Sequence, residues 1–123
     1  MFGESSAEAV LREVVEETQV KMQIERLAFV HENFFIHKES GNEPYHEISF
    51  FYVVKPVEQQ DWSALTRTTR WTIDGIEYLC WLPLDKLSEY HLFPEFFKTE
   101  LQNLKEDVGH FITKDEITSR VTS

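Results

Sequence analysis

Glu16 and Glu17 follow Glu13 at three and four residues in the stretch Arg12-Glu13-Val14-Val15-Glu16-Glu17. On a helix those intervals bring side chains to one face, so the three carboxylates converge. Like charges that close repel, and a hard divalent cation with oxygen ligands is the natural counter-charge. Metal ions held there would also let an acidic protein accept a small anionic substrate. Arg12 stands four residues before Glu16, the spacing of a helical ion pair that holds the carboxylate in place. The plainer readings are a solvated acidic helix face and a surface ion pair of ~0.3–0.5 kcal/mol.

A helix must carry these residues. Ser5-x-x-Glu8 has the pattern of a capping box, which starts the helix near Ser6. At ~100° per residue, Ala7, Val10, Leu11, Val14 and Val15 fall on one arc opposite the glutamates. The motif helix is expected over about residues 5–19. Strand follows over Val20–Ile36 and again over His46–Lys55, where H-E-I-S-F-F-Y-V-V-K is rich in β-branched and aromatic residues. Ser40-Gly41-Asn42 and Pro44 supply the turn of an antiparallel hairpin. Residues 56–70 read as loop. Trp71–Ile73 and Ile76–Leu82 are short strands separated by Asp74-Gly75. Pro94 opens a second helix expected over about 94–104, and His110–Thr113 is one more short strand. The sheet region is thus about residues 20–82, and residues 1–123 form a single α+β domain.

Composition narrows the function. With 123 residues the chain holds one modest domain. Hydrophobic residues are 41%, with ten Phe, three Trp and four Tyr, enough for a packed core. Acidic residues number 22 against 12 basic, a net charge of −10, which disfavours nucleic acid and anionic membrane as partners. Cys80 is the single cysteine and reads as a small buried hydrophobe, so a reducing, cytoplasmic setting is expected. No apolar run approaches the ~20 residues of a membrane span. Of Phe34, Phe35, Phe50, Phe51 and Tyr52, most are expected in the core and one or two along a pocket.

The early segment resembles the Nudix hydrolase signature, G-x5-E-x7-R-E-U-x-E-E-x-G-U, with U a bulky apolar residue. Glu4 falls on the first acidic position, Arg12-Glu13-Val14 on R-E-U, Glu16-Glu17 on the E-E pair and Val20 on the closing apolar position. Trp81-Leu82-Pro83-Leu84-Asp85-Lys86-Leu87 resembles a W-x-P-x-D-x-L segment found after the last sheet strands of many members. Two departures stand out. Gln19 replaces the helix-exit glycine, where a left-handed residue favours Gly or Asn. The opening glycine and the strands before it would fall ahead of Met1. The resemblance therefore implies a Nudix-like α/β/α sandwich with a mixed sheet lacking the usual N-terminal strands.

The resemblance also implies an activity. Nudix enzymes use Mg²⁺ or Mn²⁺ to hydrolyse the diphosphate linkage of nucleoside diphosphate derivatives such as nucleotide sugars, ADP-ribose or nucleoside triphosphates. It implies Glu13, Glu16 and Glu17 as metal ligands, Glu16, Arg12 and Glu13 in catalysis, and Glu4 in a supporting role. Glu47, Asp74 and Glu77 are candidates for an auxiliary loop base, although His46 and Glu47 read more readily as a polar strand end. An open sheet edge would be covered by a homodimer. The competing reading is a catalytically impaired Nudix homologue that serves as a binding or interaction module. An acidic structural protein without a ligand would leave the R-E-V-V-E-E register unexplained.

Overall fold

The computed structural model describes residues 3–59, 67–72, 75–80 and 82–122, with the backbone alone described in Ser40 and in residues 67–72 and 75–80. The chain has an α+β fold. Its elements run α1 (Ser6–Thr18), β1 (Met22–His37), β2 (Glu43–Pro56), β3 (Arg67–Thr72), β4 (Gly75–Cys80), α2 (Phe97–Glu100), β5 (Gly109–Lys114) and β6 (Ile117–Arg120). Among the described residues, four strands form a mixed sheet in the order β2-β1-β5-β6, and β3 pairs with β4. Only five residues separate β1 from β2, far too few for a parallel crossover, so these two run antiparallel. β1 and β5 are parallel with Phe29 opposite Gly109, and β5 returns antiparallel through β6. No helix of the described residues is long and apolar enough to cross a membrane.

Two compact units result: Met1–Glu25 with Val54–Gln102, and Arg26–Val53 with Asn103–Ser123. In the first, Val20, Leu87 and Phe96 are buried. In the second, Ala28, Phe29, Phe111 and His31 are buried. Phe29 and Phe111 meet edge to face, with centroids 5.8 Å apart. Gly109 lies beneath this pair, and a Cβ there would stand 2.8 Å from the Phe111 ring.

Several expected boundaries shift. β3 begins at Arg67, so residues 67–70, expected in a loop, are strand. The helix expected over 94–104 has i→i+3 bonds from Phe97 to Pro94, Lys98 to Glu95 and Thr99 to Phe96. It holds a single α turn at Phe97–Glu100 and closes in a 3₁₀ turn at Leu101–Asn103. β6 was not expected from sequence. Its connection, Asp115-Glu116, has φ of 53° and 65°, the conformation of a type I′ hairpin turn without the usual glycine. Val15 is 40% exposed, so α1 rests on the narrower stripe Ala7, Val10, Leu11 and Val14, all half-buried. Phe35 and Phe50 are exposed rather than core. Phe34 and Phe35 do line an open cleft of about 440 Å³ in the second unit, with Tyr45 and Lys114.

Candidate functional site

The capping signal places the acidic helix. Ser5 is the N-cap, and its hydroxyl oxygen accepts a bond from the Glu8 backbone N–H at 3.2 Å. That satisfies one of the amides orphaned at a helix start. The same hydroxyl donates to the Glu8 carboxylate at 3.0 Å, so Glu8 accepts from the cap side chain rather than from its backbone. Gln19 ends the helix at φ 61°, ψ 20°, the conformation that glycine takes most cheaply. Its backbone N–H donates to Val15 O at 2.8 Å and its side-chain amide to Glu16 O at 3.3 Å. Thr18 assists the exit: its hydroxyl donates to Val14 O at 2.7 Å and accepts from the Val20 N–H at 3.1 Å.

Arg12 is the hub. Its Nε donates to Glu4 Oε2 at 2.9 Å and its Nη2 to Glu4 Oε1 at 3.2 Å, a two-pronged pairing. Nη1 reaches Glu16 Oε1 at 3.2 Å, one turn along the helix. Glu13 Oε1 stands 3.9 Å from Nη2. The Arg12 bonds hold the Glu4 carboxyl down at about 2, below the ordinary carboxylate range, and the same bonds raise the guanidinium's affinity for its proton. Glu13 and Glu16 are exposed while Glu17 is half-buried, so the acidic stripe is not uniform.

The structure thus gathers Glu4, Arg12, Glu13 and Glu16 around one guanidinium. Of the auxiliary acids, Glu47 lies on β2 in the second unit, Asp74 falls outside the described residues, and the side chain of Glu77 is likewise outside them. Glu47 is exposed, and its charge opposes the effect of burial on His31.

Carboxylate oxygens are donors of the right kind for Mg²⁺ or Mn²⁺, and the backbone puts Glu13, Glu16 and Glu17 on the expected helical spacing. Among the described residues, however, no three His, Cys, Asp or Glu side chains converge closely enough to hold an ion. The donor set fits the ion in chemistry and sequence spacing, and the exposed Glu13 and Glu16 side chains must turn to close on one. Arg12 Nη1 is the present counter-charge of Glu16, at 3.2 Å from Oε1.

Three groups escaped the sequence reading. Glu32 Oε1 is 2.9 Å from His46 Nε2 and Glu32 Oε2 is 2.6 Å from His110 Nε2, so one carboxylate ties β2, β1 and β5. His110 and then His46 hold the Glu32 carboxyl below its ordinary value. Phe34 stacks on His46 with centroids 4.1 Å apart. These residues are 14 and 78 positions apart, and strand register alone joins them. His31 is buried, with Nε2 2.7 Å from Thr113 Oγ1, and burial pushes its pKa down. Arg26 buries Nη1 without a hydrogen-bond partner among the described residues.

Comparison with curated proteins returned no match. The NUDIX domain profile matches residues 2–104, which include the whole of α1 and the Leu82–Leu87 segment. The match spans most of the chain, and it opens at the helix where Arg12 holds Glu4 and Glu16. The chain belongs to the Nudix family.

Proposed function

We propose that this chain is a metal-dependent Nudix pyrophosphohydrolase that cleaves the diphosphate linkage of a nucleoside diphosphate derivative. The observation that carries the reading is the Glu4–Arg12–Glu16 lattice on the helix that opens the matched domain. We assign Glu13, Glu16 and Glu17 as ligands of Mg²⁺ or Mn²⁺. A divalent cation at such carboxylates draws charge from a diphosphate and acidifies its bound water. The chain itself bears a charge of −10, so a bare diphosphate would be repelled from the acidic helix.

The protein's own groups then have distinct tasks. Arg12 orients Glu16 through its Nη1 bond, and Glu4 fixes Arg12 from the other side. A carboxylate of the set, Glu16 or Glu13, accepts the proton of the attacking water. A new P–O bond forms from that water, and the bridging P–O bond breaks with its electrons on the departing phosphate. Glu47 and Glu77 stay candidates for an auxiliary base. The substrate class is a nucleotide sugar, ADP-ribose or a nucleoside triphosphate. A single domain over residues 1–123, a homodimer and a cytoplasmic setting complete the reading.

The alternative, a Nudix homologue acting as a binding module, draws support from Arg12 serving as the present counter-charge of Glu16. One assay separates the two. Formation of the nucleoside monophosphate from ADP-ribose, nucleotide sugars and nucleoside triphosphates with Mg²⁺, followed by chromatography, is compared between wild type and Glu16→Gln. The enzyme reading expects turnover and a loss of at least about a hundredfold in the variant, more than is typical for an outer-shell residue. Absence of turnover across the panel, or a variant as active as wild type, leaves the binding module.

A further inference from the structure

We propose that the cleft at the end of β1 is a binding site for a free aromatic amino acid, held by its ring, its carboxylate and its ammonium group together. The inference does not rest on the hydrolase reading. Every residue lining the cleft belongs to the second unit, whereas the acidic helix α1 belongs to the first.

The strand topology makes the cleft. The register of β1 with β5 ends where Phe34 faces Lys114. β5 then turns back through Asp115-Glu116 into β6, while β1 continues to His37. Phe35 and Ile36 therefore have no strand partner on the β5 side among the described residues. Successive side chains of a strand point to opposite faces. A cleft lined by Phe34, Phe35 and Ile36 in succession thus lies at the edge of the strand, in the notch that β5 leaves. Its volume of about 440 Å³ is in the range of small-molecule sites, ~300–1,000 Å³.

The wall is aromatic and uncovered. Phe35 lies nearly parallel to Tyr45, with centroids 5.6 Å apart and planes at 15°. Both rings are exposed, and Ile36 beside them is 60% exposed. Contiguous exposed apolar side chains mark binding sites where single ones do not. A planar ring is the shape that extends a stacked aromatic pair.

Charge selects the ligand. Lys38 and Lys114 line the same cleft, and so do Asp115 and Glu116. All four are exposed, and among the described residues none has an ion-pair partner. Lys114 Nζ instead sits 5.4 Å from the centre of the Phe34 ring. A simple aromatic anion would meet the two carboxylates, and a simple aromatic amine would meet the two ammonium groups. An amino acid carries both charges on one carbon and answers both signs. Glu116 adds a backbone argument. At φ 65° it occupies the second central position of the turn, where glycine is the unstrained residue. Side chains kept in a strained backbone conformation cluster at ligand clamps, and this one supplies a carboxylate to the cleft.

Calorimetric titration of the full chain tests the site. The probes are L-phenylalanine, L-tyrosine and L-tryptophan, and for the tightest of them the analogue lacking the carboxylate and the analogue lacking the amine. At least one amino acid should bind saturably, and each analogue should bind about tenfold or more weakly than it, the loss expected for a charge-assisted contact. Glu116→Gln should weaken the amino acid by a similar factor and leave the analogue without the amine unchanged. Lys114→Gln should weaken the amino acid likewise and leave the analogue without the carboxylate unchanged. No saturation by any of the three amino acids up to ~10 mM would overturn the site. An analogue bound as tightly as the amino acid, or variants that bind it like wild type, would overturn the recognition of both charges. Nucleotide hydrolysis is not read in this experiment, so a negative result leaves the hydrolase reading as it stands.

Discussion

Arg12 Nε lies 2.9 Å from Glu4 Oε2, joining the residue before the N-cap to the second turn of α1 across eight positions of sequence. Gly3 precedes Glu4 at φ 85°, a conformation open mainly to glycine, and the helix begins only at Ser6. The pair therefore fixes how the chain enters the helix as well as where the guanidinium points.

Removal of Arg12 should release Glu4. In Arg12→Ala the first cause of the lowered Glu4 carboxyl is gone, and its titration should move from about 2 back towards the ordinary carboxylate value of 4.5. The sign is that of a depressed acid. Its pairing contributes to stability above the unfolded value and loses that contribution as pH falls from there towards about 2. Carbon-detected NMR titration of the Glu4 side chain reads this directly. An unchanged midpoint in Arg12→Ala would show that the pairing does not hold the carboxylate. Arg12→Lys should recover only part of the shift, because an ammonium cannot reproduce the two-pronged contact.

His31 predicts a second window at higher pH. It is buried at 2% exposure, with its pKa pushed below 6.5 by desolvation. An imidazole held neutral in the fold binds fewer protons than the unfolded chain, so stability should begin to fall as pH drops below ~6.5. Glu32, lowered by His110 and His46, adds its loss only at more acid pH. Denaturant midpoints across pH 5–8 should show the slope in wild type and not in His31→Gln, which keeps a polar group near Thr113.

Left-handed positions without glycine offer the clearest stability gains. Gln19 at φ 61° and Glu116 at φ 65° each hold a conformation that costs a side-chain-bearing residue ~1 kcal/mol or more. Gln19→Gly and Glu116→Gly should each stabilise the fold by about 1 kcal/mol, less whatever the Gln19 amide gains from Glu16 O. Thermal melts of the two single variants and the double variant check this. The sites lie in separate units, so the gains should add.

These same positions mark where sequence was readable. Ser5 and Gln19 bracket α1 by local chemistry, a cap and an exit, and local chemistry is what a sequence displays. The spacing of Arg12, Glu13 and Glu16 was legible for the same reason. Asp115-Glu116 carries no glycine signal, so the β5–β6 hairpin was invisible although its geometry is that of an ordinary tight turn. The Glu32 bridge was invisible for another reason. The parallel register that sets Val30 opposite His110 is a property of the sheet, and no local pattern encodes it. Val15 failed because helical periodicity gives the direction of a side chain and not the width of the surface that covers it.

Of Gly3, Gly41 and Gly109, the last should be the least replaceable on packing grounds. It starts β5 beneath the Phe29–Phe111 pair, and an added Cβ would stand 2.8 Å from Phe111 Cε2 and 3.1 Å from Phe29 Cδ1. Both rings are buried, at 5% exposure each, so neither can swing into solvent without uncovering apolar surface. Gly109→Ala should therefore destabilise by roughly 1–3 kcal/mol, the usual range for overpacking. A mutation that relieves the clash makes the cause testable. Phe111→Leu in the Gly109→Ala background should cost less than the sum of the two single changes, whereas strict additivity in denaturant melts would show that the ring is not what excludes the methyl group.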